Sequence, residues 1–124
     1  MDISHAVAQK IRQDRELLDL LKNTEHKAQI NRSVLLTLKK PEVPRGDASE
    51  EERVAFSARM SELASQAEHG LAGIEGVKVY NLMKDIGHAS IGGTAEAVVR
   101  AIELDCVKDG ILGDTPAIRG PSVS

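Results

Sequence analysis

From Gly87 to Thr94 the chain reads Gly-His-Ala-Ser-Ile-Gly-Gly-Thr, three glycines and two hydroxyls set directly before an apolar run with helical spacing, Ala95 to Val107. Glycine loses more backbone freedom on ordering than any other residue, so a regular helix does not pass easily through such a segment. The spacing predicts a sharp turn there. Gly87 ends the preceding element, Gly92 and Gly93 allow close approach of two helices, and Ser90 or Thr94 caps the element that follows.

On either side of that turn the periodicity is mostly helical. Ile3, Val7, Ile11, Leu18 and Leu21 recur every three or four positions, which predicts an amphipathic helix over Ser4–Asn23 with Lys10 and Asp14 on its wet side. Pro41-Glu42-Val43-Pro44-Arg45-Gly46 stops any regular element, because proline lacks an amide donor and disfavours helical geometry in the residue before it. A second helix starts near Asp47 or Ser49, where two overlapping capping boxes (Asp47 with Glu50, Ser49 with Glu52) fill the first turn with acids, and it stops at Gly70. The last helix is expected over Thr94–Lys108, with Ala95, Val98, Ile102 and Cys106 inward and Gly110 as its stop.

Two intervals fit both periods. Ile30, Val34 and Leu38 keep helical spacing while Val34, Leu36 and Leu38 alternate, and Val77 to Met83 is equally ambiguous. With only Phe56 and Tyr80 as aromatics, the apolar residues are chiefly Ala, Leu, Ile and Val, a bias toward helix. The fold class expected is therefore mainly α: a small antiparallel domain of four or five helices over residues 1–113, with a minor β element around 34–38 or 77–82, followed by an extended tail over 114–124.

The glycine segment admits three chemistries. Gly87-x-x-x-x-Gly92-Gly93-Thr94 copies the spacing of a phosphate-binding loop, but glycine stands where that loop needs lysine, so at most the backbone amides could cradle an anion. His88-Ala89-Ser90-Ile91-Gly92 approaches a nucleophile elbow, which requires a large sheet that this chain is too short to build. Packing alone is the third reading. A ligand held there would meet Gly87, His88, Ser90, Gly92, Gly93 and Thr94, with Tyr80 and Arg119 as further contacts from a shared groove.

Other features argue by exclusion. His5, His26, His69 and His88 form no metal-ligand spacing, and the single Cys106 allows no intrachain disulfide, so neither a metal nor an oxidising compartment is expected. No cofactor is implied. Scarce aromatics and a net charge of −3 weaken nucleic-acid binding. Residues 1–46 carry 9 basic against 6 acidic side chains, the ordinary balance of solvated helix faces. Without a signal peptide or a spanning apolar run, the chain reads as soluble and cytoplasmic.

No acid, base and nucleophile converge, so the expectation is a non-enzymatic, homo-oligomeric interaction protein that binds a partner protein. The alternative is a module that holds a phosphorylated or nucleotide-like molecule at 87–94.

Overall fold

Ser4, Asp14, Ser49 and Thr94 each lie in extended backbone, and each side chain accepts the amide three residues on, from Val7, Leu17, Glu52 and Ala97 respectively. These four caps start the four helices of the computed structural model, which describes residues 2–84 and 86–113. The helices are α1 (His5–Lys10), α2 (Arg15–Lys22), α3 (Glu50–Ala72) and α4 (Ala95–Ile102). Four strands accompany them: β1 (Val34–Leu38), β2 (Val77–Met83), β3 (His88–Gly93) and β4 (Val107–Leu112).

The strands form one sheet in the order β2-β3-β1-β4, with every neighbouring pair antiparallel. From β1 onward the chain runs β-α-β-β-α-β, and each of its two helical crossovers skips a strand. This is the split β-α-β, or ferredoxin-like, topology. The preceding helices α1 and α2 pack against β4, and α1 also meets α4. No described helix is long and apolar enough to cross a membrane.

Strand parity locates the core. Val34, Leu36 and Leu38 on β1, Ala89 and Ile91 on β3, and Val107 and Leu112 on β4 are buried with Val98 and Ile102 of α4 and Leu71 of α3. Ile11, Leu17 and Leu21 extend the same cluster. The intervening residues Leu35, Thr37, His88 and Ser90 are only half-buried, so among the described residues the helices lie on one side of the sheet and leave the other bare.

The mainly α expectation is therefore overturned, and with it the description of the protein as helical: strands pair across the middle of the chain. At β1 the helical reading failed because a spacing of four satisfies both a period of two and one near 3.6, and burial follows the shorter period. The expected turn at 87–94 is a central strand over His88–Gly93. The last helix ends at Ile102 rather than Lys108, and Gly110, expected to stop it, lies in β4 facing the tips of Leu36, Ile102 and Ile11. Cys106 thus sits in the turn before β4. The single helix expected over Ser4–Asn23 is two, because the Asp14 side chain turns back to cap α2. The expected tail at 114–124 lies outside the described residues.

α3 reaches further than anticipated, through Gly70 to a cap at Gly73. Its 23 residues span about 34 Å, longer than any strand beneath it. Burial accordingly begins at Met60 and continues through Ala64, Ala67 and Leu71, while the first turns stand clear with Val54 exposed.

Candidate functional site

The bare face of the sheet carries two complete cross-strand rows. One runs Ile111, Leu35, Ser90, Asn81, and the other Asp109, Thr37, His88, Met83, each successive pair in register across β4, β1, β3 and β2. The first row presents apolar carbon at its β4 end and amide and hydroxyl at its β2 end. In the second, Thr37 Oγ1 and His88 Nδ1 lie 3.3 Å apart, a hydroxyl–imidazole contact at the centre of the sheet.

Beyond these rows Tyr80 occupies a bulge in β2, where the register slips between Val79 and Asn81. Its phenol covers Gly92 on β3, filling the space a Cβ would take. That explains the first of the paired glycines. The second, Gly93, has φ 126° and stands so close to the Gly76 carbonyl that any side chain would overlap it.

Of the residues singled out from sequence, His88 and Ser90 thus share the bare face with Gly92 and Tyr80. Gly87 lies apart, at φ 68° in the β2–β3 connection, beneath the Lys40 stem. Thr94 lies apart too, as the cap of α4. Arg119 falls outside the described residues. Leu35, Thr37, Asp109 and Ile111 were missed. The signal for β1 was present in the alternation over 34–38, whose polar parity contains Thr37.

The geometry bears directly on the phosphate-loop spacing. At the start of α4, the amides of Ala95 and Glu96 donate to the carbonyls of Ala28 and His26, both at 2.9 Å, and the Ala97 amide donates to Thr94 Oγ1 at 3.1 Å. The Thr94 amide donates to Gly76 O at 3.4 Å. Segment 26–30 therefore occupies the place an anion would need, and the amides of β3 face sheet partners. Ser90 lies mid-strand, away from any strand-to-helix elbow. Thr37 and His88 supply a hydroxyl beside a base, but the flat, ladder-bonded backbone around them aims no amide pair at a developing oxyanion.

Away from this face, an open cleft of about 540 Å³ lies between loop 41–45 and α3, with Phe56 and Arg59 on its floor. Both signs of charge line it, Arg45 and Arg59 against Glu42 and Glu52, so it selects no ligand charge. Among the described residues, no group of three or more His, Cys, Asp or Glu side chains is placed to hold a metal.

Lys10 and Cys106 form a second polar cluster at the end of α4. Lys10 Nζ donates to the carbonyls of Ile102 at 2.8 Å and Leu104 at 3.1 Å. Burial, then the charge of Lys39, lowers the Lys10 pKa from its ordinary value, while burial above all raises that of the Cys106 thiol. A raised thiol pKa leaves less thiolate at neutral pH. Iodoacetamide is therefore expected to alkylate Cys106 several-fold more slowly in the folded chain than in urea, and equal rates by intact-mass spectrometry would contradict that environment.

Fold and face together define a small split β-α-β domain with one sheet surface that the described residues leave uncovered. Comparison with protein-family models, curated proteins and solved structures returned no match to this chain.

Proposed function

We propose that the chain is a non-enzymatic interaction module that assembles with copies of itself and holds a protein partner on the bare face of its sheet. The parity of the strands carries this reading: Leu35 and Ile111 oppose each other in register on that face, with Ile111 36% exposed, and at the opposite edge Tyr80 is 49% exposed. Apolar carbon spread across a sheet surface is covered at a gain in free energy when another molecule docks there. Two observations favour protein over nucleic acid. Tyr80 is the sole tyrosine of a chain without tryptophan, which leaves little ring surface for base stacking, and the net charge of −3 repels phosphate. The reading puts the protein in the cytoplasm, supported by its free cysteine.

Light scattering across a micromolar concentration series tests the self-assembly. Masses above the 13.4 kDa of one chain support it, and 13.4 kDa at every concentration overturns it. A thermal-shift series with phosphate and nucleotides separates the small-ligand alternative, because a ligand that binds only the native state raises the melting temperature. The face itself is tested by Leu35→Asp. Leu35 is half-buried and no described helix covers it, so the change is expected to cost about 1–2 kcal/mol in a urea titration, for the lost apolar contact and the poor strand propensity of aspartate. A larger loss would mean that the face is packed.

A further inference from the structure

Between β1 and α3 the chain reads Lys39-Lys40-Pro41-Glu42-Val43-Pro44-Arg45-Gly46, and its backbone is fixed by composition rather than by pairing. Each proline ring locks its own φ at about −65° and pushes the residue before it, Lys40 or Val43, out of helical geometry into extended or polyproline conformation. Only Glu42 between them keeps a free choice. A polyproline II helix repeats every three residues or so, which puts Pro41 and Pro44 on one edge and Lys40 and Val43 on a second.

This strip is open along its length and tied at both ends. Among the described residues, no hydrogen bond reaches the backbone of 41–44. At one end Lys39 N donates to Cys106 O at 2.8 Å; at the other Ala48 N donates to Arg45 O at 2.9 Å and Arg53 Nη2 to Gly46 O at 2.8 Å. Val43 is 70% exposed, the highest among the described large apolar residues, with Glu42 and Arg45 exposed on either side of it. Pro41 and Pro44 are half-buried, but they border the open cleft beside Phe56 and Arg59 of α3 and take no part in the core. Packing within the chain therefore does not account for the exposed apolar carbon.

We propose that segment 40–45 docks a second protein partner, a domain whose groove is lined by aromatic rings and carries carboxylates at one end. The inference goes beyond the bare face, since the strip lies against α3 and away from that surface. Aromatic grooves take extended proline segments of this spacing, and here the pairs Lys40-Pro41 and Val43-Pro44 present themselves to successive rings. A ring entering the cleft meets Pro41, Pro44 and Phe56 together. The exposed guanidinium of Arg45 meets the carboxylates in a charge-assisted contact, while Glu42, one turn back, keeps them from the middle of the strip. Because the segment is already extended and anchored, docking orders little further chain, and a small interface suffices for a reversible contact.

The test titrates the isotopically labelled full chain with a panel of purified SH3 and WW domains, each to about 500 μM, and follows the backbone amides by NMR. At least one domain is expected to bind with a dissociation constant of about 10–100 μM, shifting the amides of Glu42, Val43, Arg45 and Gly46 but not those of His88 and Ser90. Val43→Asp, and separately the double change Pro41→Ala with Pro44→Ala, should each weaken that binding at least about tenfold. Val43 is open to water, so its replacement is expected to leave the melting temperature unchanged within about 2 °C. Absence of binding across the panel, shifts confined to β3, or undiminished binding by either variant overturns the docking strip, and the bare-face reading then stands or falls by its own tests. Should the proline double variant unfold, Val43→Asp alone decides.

Discussion

Gly93→Ala is expected to destabilise the protein by more than about 4 kcal/mol, a large part of the roughly 5–15 kcal/mol that holds a typical domain together and in the size class of the most damaging single substitutions. Two costs combine. At φ 126° an alanine pays backbone strain of about 1–3 kcal/mol, and its Cβ would overlap the carbonyl oxygen of Gly76. That overlap is with main chain, so no rotamer change relieves it. The backbone would have to separate where β2 begins and α4 starts, and where the Ile30 amide donates to Gly93 O at 3.0 Å. Gly92→Ala is the informative control. Its new methyl meets only the phenol of half-exposed Tyr80, which can swing outward, so the loss should stay below about 1.5 kcal/mol. Chemical denaturation of the two variants side by side makes the comparison, and equal losses would contradict the assigned close approach.

Asp14→Ala carries the second large effect, about 2–4 kcal/mol. One carboxylate oxygen accepts the Leu17 amide at 3.1 Å and caps α2, while the other accepts the Leu112 amide at 2.9 Å and finishes the edge of β4. Removing a cap costs about 1 kcal/mol, and stranding a half-buried donor about 1–3 more. Asp14→Ser separates the two, since serine still caps the helix but is too short to serve Leu112 as well. It should recover roughly the smaller share. If alanine and serine proved equally harmless, the tie between the N-terminal helices and the far edge of the sheet would not exist.

What the sequence revealed of this fold divides along physical lines. The helix starts at Ser4, Ser49 and Thr94 were legible, though that at Asp14 was not, because a cap is a local event: Ser49 reaches Glu52 and Thr94 reaches Ala97 within one turn of chain. The strands were not, since pairing joins residues far apart and leaves only a faint local trace. Leu36 gains its partners Ala89 and Gly110 from positions more than 50 residues away. Asp14 likewise looked like a surface partner for Lys10, yet both side chains act across the fold, on Leu112 and on the end of α4. The candidate site was half legible. His88 and Ser90 stood out beside the glycines, but Thr37 and Leu35 join them only once β1 and β3 are in register. Glycine itself misled, because a missing side chain marks a turn or a close approach equally well. Only the neighbour, Tyr80 over Gly92 and the Gly76 carbonyl against Gly93, tells which.

The place of β1 between β3 and β4 also governs how the protein comes into being. A chain emerging from the ribosome delivers β1 early and β4 more than 65 residues later. Until then Val34, Leu36 and Leu38 have no second flank, and the helices meant for β4 have nothing to rest on. Completion of the sheet during synthesis therefore waits for β4, and throughout that interval one flank of β1 stays open, the kind of exposed strand edge that makes folding intermediates prone to aggregate.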